Sequence, residues 1–420
     1  MLDLKLLREN PDAVREALKK RSSPVSLDEL LVLERDRRSY LTALEQERAW
    51  LKQASDEFAK QKRQGTASTP PADLKTRSDN VASREQNLKQ LENRIEGLLA
   101  YIPNIPHASV PVGDAKANAI VRTIGQPPAH AFTPKTHLAL AEHLGLLDFE
   151  RAAKISGSHF PLFTGKGARL ERALINWMLD VQTKEHGYTE VSPPLLVNRP
   201  SMFSTGQLPK FEEDMYRLKD DDLFLVPTAE VPLTNLHRDE ILDGGRLPIA
   251  YTAYTACFRR EAGSYGKETR GLVRVHQFDK VELVRFAAPE QSYDELERLV
   301  GHAETILQRL GLHYRVVSLS TGDLSFAAAK CYDLEAWAPG LNQFLEVSSC
   351  SNFEAFQARR ANIRYRTSST KKTAYVHTLN GSGVALARTL ICLLETHQRA
   401  DGHITIPEPL RPYLDGQDRL

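Results

Sequence analysis

The chain has few cysteines and no long apolar segment. Its four cysteines are far apart and form no C-x-x-C pair, so neither a disulfide framework nor a structural zinc site is expected. No apolar run approaches the roughly 18 residues of a membrane span. The first segment, MLDLKLLRENPDAVREALKKR, lacks an apolar core, which argues against a signal or transit peptide. These absences predict a cytoplasmic protein with reduced thiols and no membrane association.

Net charge and the common phosphate-binding loops are also missing. The 420 residues include 55 Lys+Arg and 54 Asp+Glu, so a polyanion would have to contact a local patch rather than a global field. Neither G-x-x-x-x-G-K-[ST] nor a strand followed by G-x-G-x-x-G occurs. If a nucleotide binds, arginine side chains must hold its phosphates.

The first hundred residues have the pattern of long helices. Apolar residues recur every seven positions, which is the seam of a coiled coil: Leu74, Val81, Leu88, Ile95 and Ile102. A weaker heptad pattern runs from Leu30 to Phe58. Between them the segment GTASTPP (65–71) breaks the helix and is only long enough to reverse the chain. The pattern predicts two antiparallel helices forming an arm about 55–60 Å long, since a helix rises 1.5 Å per residue.

Positive charge is concentrated toward the tip of this arm. Residues 1–101 hold 19 Lys+Arg and 17 Asp+Glu, a difference of +2, whereas residues 48–94 hold 10 and 6, a difference of +4. Two interpretations are open, a solvated helix face or a basic arm that contacts the backbone of a nucleic acid. The candidate RNA contacts are Arg48, Lys52, Lys60, Lys62, Arg63, Lys75 and Arg77.

The remainder of the chain mixes helix and strand patterns. We expect a helical domain over residues 1–102 with its arm at about 27–102, a proline-rich linker over 103–113 and a catalytic domain over 114–420. Helices are predicted at 167–186 and 384–398, and strands at 223–228, 249–258, 272–283, 313–319, 331–336 and 344–347. Hairpin-spaced strands among helices predict an α+β fold built on an antiparallel sheet flanked by helices.

The segment CFRREAGSYGKETRGLVRVHQFDKVEL (257–283) carries the candidate chemistry. Arg259 and Glu261 precede a polar loop, and an alternating Val/His/Phe run follows. An isolated R-x-E is usually a surface ion pair, but further polar blocks follow at EVSS (346–349) and NGSGVALAR (380–388).

These blocks resemble a known family, the seryl-tRNA synthetases among the class II aminoacyl-tRNA synthetases. FRRE-loop-VRVHQFDKVEL is similar to motif 2 of that family, NGSGVALARTLICLLE to motif 3, and ERALINWMLD with GYTEVSPPLL to motif 1. TGQLPKFEEDMY, PTAEVPL and EVSSCSNFEAFQARRANIRYR are further family blocks. The resemblance covers essentially the whole chain, and the HIGH and KMSKS signatures of class I are absent.

The resemblance implies an activity and its ATP site. Serine and ATP would form seryl-adenylate and pyrophosphate, and the seryl group would pass to the 3′ end of tRNA(Ser), or of tRNA(Sec) where present. Arg259 and Arg388 would be catalytic, because a guanidinium can fork onto two phosphate oxygens. The implied ATP site consists of Arg259, Arg260, Glu261, Val275, Phe278, Glu346, Val347, Ser348, Ser349 and Arg388, with Mg²⁺ on Glu346 and Ser349.

The same resemblance implies a small polar pocket for L-serine. Its residues would be Thr228, Ala229, Glu230, Arg259, Glu282, Asn380 and Ser382. Phe278 would stack on adenine, although a core position on an alternating strand is the other interpretation. His276 is expected to be a structural hydrogen-bonding residue rather than an acid or base. Residues 262–270 would form a cover that senses the tRNA acceptor end.

The implied partners are a second copy of the chain and tRNA. In such a homodimer, motif 1 lies at the interface and the arm of one subunit contacts the long variable arm of the tRNA, whose acceptor end enters the other subunit. Two other functions differ in what they require. A non-catalytic RNA-binding relative would lack one of the site residues Arg259, Glu261, Glu346 or Arg388, and a ligase acting on a carrier protein would lack the arm. This chain has all four of these site residues and also the arm.

Overall fold

A computed structural model of the protein describes residues 1–66, 69, 72–262, 271–367 and 372–420. The chain divides into two compact units, Met1–Pro103 and Asn104–Leu420. Part of the segment predicted as a linker belongs to the second unit, because the Asn104 side chain is buried there and donates hydrogen bonds to the carbonyl oxygens of Ala327 and Phe353. The functions assigned to the two regions stay predictions.

The described part of the first unit is helical. Its helices are α1 (Leu4–Glu9), α2 (Pro11–Lys20), α3 (Asp28–Arg63) and α4 (Ala72–Leu99). Asn10 caps α2 by accepting a hydrogen bond from the backbone N–H of Ala13, and Pro11 stands at the first helical position, where its missing N–H costs nothing. Local capping signals therefore define the short helices before the arm.

Helices α3 and α4 pair antiparallel, as the heptad pattern predicts. Arg37 contacts Glu92 at 2.9 Å, and further along α3 Arg48 contacts Glu85 at 2.6 Å, so the order of residues reverses between the two helices. The shared seam buries apolar residues at heptad and near-heptad spacing, namely Leu30, Leu33, Leu44, Leu88 and Ile95. The 36 residues of α3 span about 54 Å. The coiled-coil arm is confirmed.

The main sheet of the second unit has eight strands within the described residues. Its strands are β1 (Ala119–Ile124), β2 (Thr189–Glu190), β6 (Ile249–Phe258), β7 (Gln277–Ala287), β8 (Tyr314–Ser318), β9 (Lys330–Ala338), β10 (Gln343–Asn352) and β13 (His377–Ala385). Their order in the sheet is β1-β8-β9-β10-β13-β7-β6-β2, and every neighbouring pair is antiparallel except β2 with β6. Shorter strands lie outside it: β3 (Leu196–Asn198), β4 (Leu223–Leu225), β5 (Ile241–Asp243), β11 (Arg364–Arg366) and β12 (Ala374–Tyr375).

The helices of the second unit are α5 (His137–Leu144), α6 (Phe149–Ser156), α7 (Gly165–Lys184), α8 (Arg199–Thr205), α9 (Glu230–Asn235), α10 (Ser292–Arg309), α11 (Phe356–Ala361) and α12 (Leu386–Thr396). Of these, α7, α9, α10, α11 and α12 pack against strands of the main sheet. The apolar face predicted for the helix at 167–186 is buried in the core: Leu170, Leu174, Trp177, Met178 and Val181. The α+β fold with an antiparallel sheet flanked by helices is confirmed.

Several predicted boundaries were wrong. The last helix begins at Leu386 rather than Val384, because Val384 and Ala385 continue β13 and pair with Val281 and Lys280 of β7. The strand predicted from residue 272 begins at Gln277. The one predicted over 223–228 ends at residue 225, shortly before Pro227, which has no N–H for a strand ladder. Pairing with neighbouring strands, which local patterns do not contain, decides these limits.

Gly167 in α7 provides a test of this packing. A Cβ there would overlap the backbone carbonyl oxygen of Leu146, so we expect Gly167→Ala to lower the free energy of unfolding by about 1–3 kcal/mol. Gly301 in α10 is a matched control, since a Cβ there meets no atom within 4 Å and alanine should stabilise the helix by about 0.5–1 kcal/mol. Urea denaturation followed by tryptophan fluorescence would measure both. A Gly167→Ala protein as stable as the parent would contradict this packing.

Candidate active site

A cavity of about 640 Å³ opens beside β7, β10 and β13. Most of the residues predicted for the ATP and serine sites line it: Thr228, Glu230, Arg259, Glu261, Val275, Phe278, Glu346, Val347, Ser348, Ser349, Asn380, Ser382 and Arg388. Three residues predicted for these two sites do not line it. Ala229 is packed in a core cluster, Arg260 is exposed, and Glu282 lies fully buried directly behind the lining.

The β6–β7 hairpin positions Arg259. The strands pair in register from Ile249 with Phe286 to Phe258 with Gln277, and Arg259 follows immediately at the end of β6. Its Nε donates to the Pro227 carbonyl oxygen at 3.3 Å, and its guanidinium lies over the Phe278 ring, 5.2 Å from the centroid. The guanidinium therefore occupies the cavity wall in a fixed orientation.

His276 has the structural role expected for it. Its Nδ1 lies 2.9 Å from the carbonyl oxygen of Arg259, and its own carbonyl oxygen accepts a hydrogen bond from the Arg259 backbone N–H at 2.9 Å. The imidazole therefore clamps the backbone on which the arginine stands. Phe278 is only partly buried and lines the cavity.

A second guanidinium comes from the first turn of α12. Arg388 donates from Nε to the Val273 carbonyl oxygen at 3.1 Å and from Nη1 to the Glu346 carbonyl oxygen at 3.0 Å. Its Nη1 also lies 3.3 Å from the Glu346 carboxylate. Two permanently charged, planar groups thus border one cavity, which is the chemistry of a polyphosphate site that lacks a glycine-rich loop.

Glu261 stands in left-handed backbone conformation, with φ at 51°, and its carboxylate forms an ion pair with Arg274. Both residues line the cavity. The ion pair orients a carboxylate, an acceptor of hydrogen bonds, in the lining of the cavity. Residues 263–270, most of the predicted cover, lie outside the described residues.

Oxygen donors for a cation meet at β10. Glu346 and Ser349 line the cavity, the Glu346 side chain is 46% exposed, and Asp333 of the neighbouring strand lies behind them. Burial and, to a smaller extent, the nearby charge of Glu346 raise the pKa of Asp333 well above its usual range. Within the described ranges no cluster of three or more His, Cys, Asp and Glu residues could hold a metal unaided. This donor set fits Mg²⁺, which typically uses one or two carboxylates together with substrate phosphates.

The other end of the cavity contains a buried charge cluster. Lys280 Nζ lies 2.5 Å from the Glu282 carboxylate and donates to Thr228 Oγ1 at 2.8 Å. Asn380 Nδ2 donates to the other Glu282 oxygen at 3.2 Å, and Glu230 Oε1 accepts from Gln357 Nε2 at 2.6 Å. Despite its ion pair, Glu282 Oε2 receives no well-directed hydrogen bond from the described residues. This end of the cavity therefore suits a small ligand with an ammonium group and further polar atoms.

Two residues of this cluster were missed at the level of sequence. Lys280 stands two positions before Glu282 on β7, and alternation along a strand puts both on one face, so this signal was available. Gln357 had no such signal, because it contacts Glu230 across 127 residues of sequence.

The basic residues predicted for the arm are all exposed, but they are not equivalent. Arg48 forms an ion pair with Glu85 of the other arm helix, and Arg77 stacks on the Trp50 ring at 4.2 Å. Among the described residues of the arm, the structure shows no such contact for the other five, which are Lys52, Lys60, Lys62, Arg63 and Lys75. These five remain the stronger candidates for contact with RNA phosphates. None of the described helices is both long and apolar enough to cross a bilayer.

Comparison with known proteins identifies the class. Residues 210–397, which contribute most of the cavity, match the tRNA synthetase class II core domain (G, H, P, S and T). The second unit, with its antiparallel sheet and its two arginines on one cavity, therefore contains the core domain of a class II aminoacyl-tRNA synthetase.

Residues 1–106 match the seryl-tRNA synthetase N-terminal domain. Serine–tRNA ligases of Carboxydothermus hydrogenoformans and Geobacillus kaustophilus are 53% and 54% identical, over 100% of this chain and 99% of theirs. The crystal structure of seryl-tRNA synthetase from Pyrococcus horikoshii complexed with ATP superimposes with a TM-score of 0.92 at 39% identity, covering 100% of this chain and 99% of that one. The chain belongs to the seryl-tRNA synthetase family.

Proposed function

We propose that this chain is a serine–tRNA ligase. It activates L-serine with ATP to give seryl-adenylate and pyrophosphate, then transfers the seryl group to the 3′ end of tRNA(Ser), and of tRNA(Sec) where that tRNA is present. The observation that carries the proposal is that one cavity is lined by two guanidinium groups, those of Arg259 and Arg388, and has at its other end a buried polar cluster with Glu230 in the lining and Glu282 behind it. The reaction is assigned to the cytoplasm.

The ATP end would work by positioning and charge. Arg259 contacts the α-phosphate and the attacking serine carboxylate, and Arg388 contacts the γ-phosphate, so both neutralise charge as the new bond forms. Phe278 stacks on the adenine ring, and the Glu261 carboxylate accepts a hydrogen bond from the adenine amino group. Mg²⁺ held by Glu346 and Ser349 would neutralise phosphate charge. Contributions from Arg260, Val275, Val347 and Ser348 complete the proposed ATP site.

The serine end would select by charge, hydrogen bonding and size. The cluster of Glu282, Glu230 and Thr228 takes the ammonium group, while Asn380 and Ser382 lie near the hydroxyl. The Ser348 hydroxyl donates to the Ser382 carbonyl oxygen at 2.6 Å, which fixes the backbone at that end of the pocket. The packed Ala229 sets the backbone of the wall between Thr228 and Glu230. A site built around a hydroxyl rejects an analogue without it, since the buried partners lose their hydrogen bonds.

The proposed partners are tRNA and a second copy of the chain. The basic arm suits the long variable arm of serine tRNAs, because double-stranded RNA is recognised through its backbone and shape. The acceptor end of the same tRNA reaches the cavity. A homodimer is proposed because family members pair through motif 1, which here corresponds to α7 and the strands after it.

Serine-dependent ATP–pyrophosphate exchange tests the activity. We expect exchange with serine, and with alanine a kcat/KM lower by roughly 10⁴-fold, because alanine leaves the hydroxyl partners of the pocket unpaired. Glycine should behave like alanine, and threonine should be excluded by its extra methyl group. Exchange that does not depend on serine, or that alanine supports equally well, would contradict the proposal.

A further inference from the structure

The serine end of the cavity contains two carboxylates and only one ammonium group among the described residues. Glu282 is 0% exposed, Lys280 5% and Glu230 7%, so water screens none of them well. Buried charges are stable only when paired, since each loses its hydration. Lys280 is paired with Glu282 at 2.5 Å, and this ion pair leaves Glu230 as the second carboxylate.

Glu230 has a neutral partner instead of a cation. Its Oε1 accepts a hydrogen bond from Gln357 Nε2 at 2.6 Å, and no Lys, Arg or His in the described part of the chain lies within ion-pair distance. The charge of Glu282 opposes its ionisation, whereas Lys280 and Arg259 favour it more weakly. Burial and Glu282 together raise the pKa of Glu230 to about 7. In the resting cavity Glu230 is therefore about half protonated at neutral pH.

Gln357 is held so that it can only donate to Glu230. Its Oε1 accepts from the Thr378 hydroxyl at 2.7 Å, and its Nε2 donates to the Thr205 carbonyl oxygen at 3.2 Å as well as to Glu230. Gln357 is fully buried and does not line the cavity. An amide that can only donate favours the ionised carboxylate over the acid.

A bound serine adds one ammonium group to this cluster. We propose that serine enters in exchange for a proton, that Glu230 releases this proton to solvent, and that the carboxylate so formed balances the ammonium charge. No other bond changes. The inference rests on the proposed function, because it takes serine as the ligand of this pocket.

Calorimetric titration of the full chain with serine tests the exchange. Titrations at pH 6, 7 and 8, each in two buffers of different protonation enthalpy, give the number of protons released per serine. We expect about one proton at pH 6, about one half at pH 7 and about one tenth at pH 8. Serine affinity should be about tenfold higher at pH 8 than at pH 6, since at low pH binding must first remove the proton.

Two variants test whether the released proton comes from Glu230. Glu230→Gln cannot ionise, so its serine binding should be weaker, independent of pH between 6 and 8, and without proton release. Gln357→Met removes the donor without touching the cavity, so the midpoint of proton release should move above pH 7. An unchanged midpoint in Gln357→Met, or proton release that persists in Glu230→Gln, would overturn the assignment to Glu230.

Failure of the inference and failure of the proposed function give different results. Serine binding by the unaltered protein without proton release at pH 6 overturns the inference alone. Absence of serine binding at all three pH values, together with absence of serine-dependent exchange, overturns the proposed function itself.

Discussion

Replacing Arg259 by lysine should lower kcat for serine-dependent ATP–pyrophosphate exchange by about 10²- to 10³-fold. Lysine keeps the charge but has no planar fork, so it cannot contact two phosphate oxygens at once. It also cannot lie over the Phe278 ring while donating to the Pro227 carbonyl oxygen, as Arg259 does. Steady-state exchange measured at saturating serine and ATP gives the change in kcat.

The matched control is Arg246→Lys, an exposed arginine of the same unit that does not line the cavity. Its exchange rate should equal that of the unaltered protein. Arg259→Lys with a kcat within a few-fold of that control would show that the α-phosphate is stabilised by other groups, and the catalytic role of Arg259 would have to be abandoned.

Removing the distal arm should separate the two half-reactions. Replacing residues 45–87 by a short glycine–serine turn retains Leu44 and Leu88 of the seam and the Arg37–Glu92 ion pair. We expect exchange to be unchanged and kcat/KM for charging of tRNA(Ser) to fall by on the order of 10³-fold, because the variant no longer has the exposed cations that bind RNA phosphates. Aminoacylation with labelled serine would measure the second quantity.

A milder variant controls for the length of the arm. Glutamine at Lys52, Lys60, Lys62, Arg63 and Lys75 keeps both helices and should weaken tRNA binding. It should also flatten the salt dependence of binding by roughly 0.7–0.9 in logarithmic slope for each RNA phosphate that the arm no longer neutralises. Undiminished charging by the shortened protein would sink the role of the arm in recognising tRNA.

Local periodicity accounts for the parts of the fold that were predicted well. The heptad spacing of Leu88 and Ile95 is a property of one helix, and both residues are buried in the seam it predicts. Strand β6 lies at the residues predicted for it, because its β-branched and aromatic residues form one contiguous run in the sequence. The face of α7 around Trp177 was recovered from local periodicity.

The prediction that these site residues belong to one site depended entirely on the resemblance of the motif blocks to a known family. Thr228, Arg259, Glu346 and Arg388 are far apart in the chain, and no period or spacing relates them. The structure places all four on one cavity. It also shows a division within the arm that composition does not contain, since Arg48 and Arg77 contact other residues of the coiled coil, whereas the described part of the arm shows no such contact for Lys60.

By itself the sequence determined the two-part organisation, the coiled-coil arm, the α+β class and the family resemblance, because each depends on local periodicity or on contiguous motifs. Only the tertiary structure decided that Val384 extends a strand, that Lys280 neutralises Glu282, and that Gln357 holds Glu230. The extension of β13 through Val384 is set by its register with β7. The other two contacts join residues whose charge and hydrogen bonding depend on burial by distant segments, and burial is a property of the folded chain.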